Sequence, residues 1–161
     1  MEKFQEFGGL AREKLQLAEH ILAITYPMVK DARLLLAVAE NLFLSLTYAM
    51  SSVLYYERLF NRIPPFQENF AAKFHLFEKK CIGKHGISRE HIRLIQEVRD
   101  IVMQHKKSPV EFQRKGQFVI CDEYFSIRVI SADFLEDYVS KAKSFIDGIL
   151  TTVSRDESVL A

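Results

Sequence analysis

Tryptophan is absent from this 161-residue sequence, and cysteine, proline and glycine are scarce, at two, four and six residues. Cys81 and Cys121 stand 40 positions apart with no CxxC spacing. That excludes a disulfide framework and a zinc ribbon, and a reducing cytoplasm is the expected home. So few turn formers suit a helical protein with short connections. An excess of charge of one sign is also missing, because 22 Lys and Arg against 21 Asp and Glu leave +1. A strongly basic nucleic-acid coat is thereby excluded, although a few placed cations are enough to hold a phosphate backbone locally. The opening MEKFQEFGGLAREK has no apolar run of signal-peptide length, so nothing points to secretion. There is no Gly-rich phosphate loop, no GxSxG elbow, no internal repeat and no linker.

What is present is the balance of an ordinary globular chain, 48% apolar and 27% charged, long enough for one domain with a continuous core. Its centre is Leu34 to Tyr56, LLLAVAENLFLSLTYAMSSVLYY, about six turns of helix carrying one formal charge, Glu40. A helix apolar nearly all round is a bundle's core or a membrane span. Asn41, Ser45, Thr47, Ser51 and Ser52 favour the core, since each is costly in lipid. No membrane association is expected.

Periodicity lays out the rest. After a polar start broken by Gly8 and Gly9, Leu10 to about Tyr26 reads as an amphipathic helix limited by Pro27, with Asp31 placed to cap the central helix. The central helix reaches about Asn61, before Pro64 and Pro65. A third helix, roughly Gln67 to Ile82, has a Phe70, Phe74 and Phe77 stripe, with Lys73, Glu78, Lys79 and Lys80 facing water and Gly83 ending it. Ser88 caps a fourth helix, SREHIRLIQEVRDIVMQH. Beyond Lys106, Pro109 and Gly116 interrupt the helical pattern. Gln117 to Ile120 and Tyr124 to Ile130 then predict a small hairpin turning near Cys121 to Glu123. A last helix opens at Ser131 and Asp133 and ends near Val153, leaving 154–161 as a tail. The expectation is a mainly α, up-and-down bundle of about five helices, with a hairpin at about 117–130 and a core spanning about 10–153.

The fourth helix carries the chemistry. At 100° per residue its apolar arc contains three polar side chains, His91, Arg99 and His105, each needing a partner, an interface or a function. Arg99 and His105 have five residues between them, and Asp100 directly follows the Arg. This VRDIVMQH segment, late on a helix before the connection to the final one, together with AVAENLFLSL in the central helix, resembles the HEPN superfamily of small helical bundles. Active members of that family carry Arg, four to six residues, then His. The resemblance covers about residues 10 to 153, and its diagnostic part is two or three residues.

The resemblance implies a metal-independent, cofactor-free endoribonuclease in which a ribose 2′-OH attacks the adjacent phosphorus and leaves a 2′,3′-cyclic phosphate and a 5′-OH. Imidazole titrates near ~6.5, so His105 suits proton exchange with the attacking or leaving oxygen. Arg99 suits the charge on the phosphorane, and Asp100 can orient either residue. Lys106, Lys107, Arg114 and Lys115 are then candidates for holding the RNA backbone. Six helical positions turn about −120° and climb about 9 Å. A homodimer resolves that separation by placing two Arg and two His around one phosphate, as the family is understood to do. The implied setting is cytoplasmic, with RNA and an antitoxin or nucleotidyltransferase-type protein as further partners.

Family members commonly follow the His with a Tyr, where this chain has Lys106, Lys107 and Ser108. That departure supports a second reading, a non-catalytic HEPN-like module that binds a protein, a nucleotide or RNA. Arg99 could equally form a buried ion pair with Glu40, and His105 could serve the helix C-terminus. His91 reads as a satisfied core or interface histidine. Cys81, His85 and His91 are not expected to bind metal, because Gly83 and Gly86 intervene and no fourth ligand has a recognised spacing.

Overall fold

In the computed structural model, residues 2–108 and 110–160 are described, with side chains as far as Val153. The order is α1 (Lys3–His20), a π-helical turn (Ile21–Thr25), α2 (Tyr26–Val29), α3 (Arg33–Leu59), α4 (Phe70–Lys80), α5 (Arg89–Lys107), β1 (Val110–Arg114), β2 (Gln117–Cys121), β3 (Ile127–Ile130) and α6 (Ala132–Leu160). α1, the π turn and α2 form one rod, so five rods and a small antiparallel sheet make the expected mainly α bundle.

Among the described residues, α3 alone is long and apolar enough to cross a membrane, and here it is the hub against which α1, α4, α5 and α6 pack. Its buried positions include Leu35, Leu42, Ala49 and Tyr56, repeating every seven residues. α1 answers with Phe4, Gly8, Ala11, Leu15 and Ala18, alternating steps of four and three. Two buried serines set the register: Ser52 Oγ donates to Phe4 O and Ser45 Oγ to Ala11 O, each at 2.6 Å. Seven residues down one helix match seven up the other, so the pair is antiparallel, and small side chains at the seam let the backbones come close.

The two adjacent glycines of α1 therefore differ. A Cβ at Gly8 would lie 2.8 Å from Leu150 Cδ2 and 3.5 Å from Ser52 Oγ, whereas one at Gly9 would meet nothing within 4 Å. Gly9→Ala should raise stability by about 0.5–1 kcal/mol through the unfolded chain and helix propensity. Gly8→Leu should lower it by about 2–3 kcal/mol by overpacking. Urea unfolding of the two variants checks both signs.

Several boundaries differ from expectation. The helix begins at Lys3 rather than Leu10 and runs through both glycines, because burial of Phe4 and the Glu2 capping box stabilise its first turns. It also passes Pro27. The Tyr26 N–H reaches back five residues to Ile21 O, and this wide π turn absorbs the proline that would break an ideal α-helix. The N-cap of α3 is Ala32 rather than Asp31, but the Asp31 carboxylate one position earlier still accepts the Arg33 N–H of the first turn, Oδ1 at 2.9 Å. The hydrogen bonds from Arg33 hold the Asp31 carboxyl at about 2. Lys73, placed in water by the helical pattern, is buried, with Nζ 3.1 Å from Ser51 Oγ and 2.7 Å from a Glu68 oxygen. It also lies over the Phe7 ring. The helix α6 continues to Leu160 where a tail was expected, with no proline or glycine after Gly148 to stop it.

The hairpin is half of a three-stranded meander ordered β1-β2-β3. The expected reversal after Cys121 joins β2 to β3. A further strand, Val110–Arg114, pairs with β2 through a two-residue turn at Lys115 and Gly116, both with positive φ. Pro109 lies outside the described residues. Phe118, Ile120 and Ile130 bury the sheet's inner face in the bundle core. The hairpin tip is tied down as well. Tyr26 Oη donates to Gly116 O at 3.0 Å, and Gln113 Oε1 accepts the Ala32 N–H at the start of α3, also at 3.0 Å.

Candidate functional site

α5 places the motif. Ser88 and His91 form a reciprocal capping box, with the Ser88 N–H donating to His91 Nδ1 at 3.1 Å. The His91 ring stacks on Phe145 at 4.6 Å, and burial holds its pKa below the usual value. It is thus a structural histidine. Ile92, Ile95, Val98, Ile101 and Val102 fix the rotation of the helix by burial, which decides where the polar residues between them point.

Arg99 is half-buried, with its guanidinium 4.7 Å above the Phe70 ring of α4. Among the described residues it forms no ion pair, so the pairing with Glu40 weighed from the sequence is not made. Glu40 is instead half-exposed and lies 3.6 Å from His105 Nε2. The other ring nitrogen, Nδ1, is 2.9 Å from both oxygens of Glu111 on β1. A carboxylate only accepts, so this contact is a hydrogen bond when the imidazole carries a proton on Nδ1, with Nε2 then facing Glu40 at the longer distance. The His105 side chain keeps 29% of its surface in contact with solvent, enough for a ligand to reach.

Arg99 and His105 meet different neighbours, as the −120° turn between them requires, and one chain does not bring them to a common point. Asp100 is exposed and lines an open groove with Gln104, Asp122, Ser126 and Arg128. No hydrogen bond or ion pair joins it to Arg99 or His105, and the carboxylate nearest His105 Nδ1 is that of Glu111. Lys106 and Lys107 are exposed at the end of α5, and Arg114 and Lys115 are exposed at the hairpin tip. The length of β1, roughly 13 Å at 3.3 Å per residue, separates the two pairs into distinct basic patches.

A second polar cluster lies at the other end of α3. Glu57 is fully buried, with His85 Nε2 at 2.7 Å, Arg62 Nη1 at 3.4 Å and Lys84 Nζ at 3.7 Å. The loop after α4 delivers His85 by turning through positive φ at Gly83, His85 and Gly86. His85 Nδ1 is buried without a partner. Burial and then the Glu57 charge push the nearby Cys81 thiol up to about 12. Cys81 should therefore be inert to a thiol reagent at neutral pH until the protein unfolds, while half-buried Cys121 reacts in the folded single chain. Titration with a disulfide reagent before and after denaturation, repeated on Cys121→Ser, checks this.

Among the described residues, no three His, Cys, Asp or Glu side chains gather to hold a metal ion. Fold and site together define a helical bundle with a three-stranded antiparallel sheet between its last two helices and a carboxylate-held histidine at their junction. Comparison with known proteins finds no matching family model, curated protein or solved structure.

Proposed function

We propose that this chain is a HEPN-like, metal-independent endoribonuclease working as a dimer across α5, with His105 moving the proton and Arg99 holding the phosphate. One observation carries the reading. On one helix, a solvent-reachable imidazole held through Nδ1 by Glu111 accompanies a guanidinium that has no carboxylate partner among the described residues. A buried or half-buried cation without an anion favours binding one, and phosphate presents the matching oxygens. A second copy supplies the convergence that a single α5 lacks, and Lys106 and Lys107 contribute counter-charge at the mouth.

The test is incubation of the purified chain with RNA in EDTA beside Arg99→Ala and His105→Ala, each checked for fold by circular dichroism. Cyclic-phosphate ends from the parent that vanish in both variants support the reading. Cleavage unchanged in either variant removes that residue from the mechanism.

A second reading, a non-catalytic HEPN-like module that binds a partner protein, is favoured by the two carboxylates of Glu40 and Glu111 beside His105. They place negative charge where a phosphate must arrive. Under that reading no RNA is cleaved by parent or variants, and Glu40→Gln with Glu111→Gln fails to create activity.

A further inference from the structure

The sheet has two very different faces. Phe118, Ile120 and Ile130 of the inner face are buried. On the outer face, Val110 pairs with Cys121 and Cys121 with Ile127, while Phe112 pairs with Val119 and Val119 with Val129, so these six side chains stand in two rows. Val119 is covered by its neighbours, but Val110, Phe112, Ile127 and Val129 remain 44–67% exposed. Beyond the Ile127 end, Tyr124 and Phe125 project at 81% and 85% exposure. Phe125 does so from a left-handed backbone, φ 62°, which is costly for a bulky side chain. Solvated sheet faces normally alternate to polar residues, and a contiguous apolar face of this kind marks a contact surface.

We propose that this face docks a second copy of the same chain, the two sheets stacked with strands antiparallel, so that Arg114 and Lys115 of each copy meet Glu123 of the other. Size is the first reason. The exposed side chains offer on the order of 600–700 Å², taking a buried aromatic at about 150–250 Å². That approaches the ~800 Å² each partner gives to a standard interface.

Self-complementarity is the second reason. Arg114 and Lys115 lie at the hairpin end of the face and Glu123 at the opposite end, and all three are exposed. A two-fold axis lying between the sheets and perpendicular to the strands brings unlike ends together, as an isologous contact requires. The same rotation carries the Tyr124 and Phe125 knob towards the hairpin end of the other copy. There Tyr26 holds Gly116, and Met28 and Val29 stand 80% and 62% exposed.

The two apolar rows lie on the face of the sheet turned away from α5, while Glu123 and Tyr124 at its end border a cleft with Met103, Gln104 and Lys107 of α5; the contact does not depend on the ribonuclease reading. Sedimentation over a range of concentrations tests it, using the parent, Ile127→Lys, Arg114→Glu with Lys115→Glu, and those two combined with Glu123→Lys. The expected result is a parent that associates in twice the number of copies reached by Ile127→Lys and by the double reversal, a dimer against a monomer where the sheets pair alone and four copies against two where α5 pairs as well, with the sheet contact at least tenfold weaker in both variants and recovered in the triple variant. A parent that stays monomeric overturns the proposal, and so does a dimer indifferent to Ile127→Lys, which would be the contact across α5. A monomer that binds a single-stranded oligoribonucleotide and loses it in Tyr124→Ala with Phe125→Ala also overturns it, assigning the face to RNA. RNA cleavage by Ile127→Lys at the parent's rate per chain separates this interface from the catalytic reading.

Discussion

His105→Ala should reduce RNA cleavage by about 10²–10⁴-fold, the usual contribution of a positioned acid or base. The fold should survive, because the side chain is partly exposed and its partners, Glu40 and Glu111, both reach solvent. Arg99→Ala should cost about 10²–10³-fold, comparable with removing one donor to a developing negative charge. Arg99→Lys should recover only part of this, since an ammonium lacks the planar fork. Glu111→Gln is the informative companion. If the carboxylate positions the imidazole, turnover falls while RNA affinity holds steady or rises, because a negative charge has left the site. If cleavage is unaffected, Glu111 is a neighbour without a role in the chemistry. Single-turnover rates at saturating protein, together with binding in EDTA, separate these outcomes.

Glu57→Ala should lower folding stability by about 2–4 kcal/mol and the thermal midpoint by roughly 6–12 °C. The carboxylate is fully buried and is the only anion in contact with Arg62, Lys84 and His85 among the described residues. Arg62 and Lys84 can turn to solvent, with about half of each side chain already exposed, but His85 is 6% exposed and cannot. Its removal would leave a second unsatisfied nitrogen beside the orphaned Nδ1, together with a small cavity. Glu57→Gln keeps the shape and one acceptor, so its loss should be about half as large. A change below about 0.5 kcal/mol for the alanine variant in urea unfolding would mean that the cluster only balances its own desolvation.

Helices with a clear apolar stripe were legible from spacing, and the core of α3, α5 and α6 follows from it directly. The failures share a cause: local propensity was overruled by tertiary contact. Gly8 and Gly9 read as a break, yet both lie inside α1, and Gly8 packs so close to Leu150 that a Cβ there would require that side chain to shift. Lys73 belongs to a solvated pattern until Ser51 and Glu68 are brought to its ammonium. β1 was hidden by Glu111, Gln113 and Arg114 between its apolar residues. Its alternation is also inverted, with Val110 and Phe112 on the exposed face and Glu111 on the inner one, and Lys115–Gly116 was the turn signal that could have revealed it. At the site, spacing located Arg99 and His105 but not Glu111, whose contact depends on the chain reversing after α5. Nor did spacing indicate that Glu40 would choose the imidazole over the guanidinium. Glu57 stood unremarked at the end of an apolar run, because two of its three partners arrive from a loop more than twenty residues later.

The anchoring of the hairpin tip sets an order on assembly. Residues 110–130 form their strands from neighbouring chain, but the tip seats on Tyr26 and Ala32, 90 and 81 positions earlier. Closing loops of that length is costly until the helical corner exists to reward it. The tip thus docks as a late latch, whereas Glu111 and His105, six positions apart, need only the local reversal after α5 to meet.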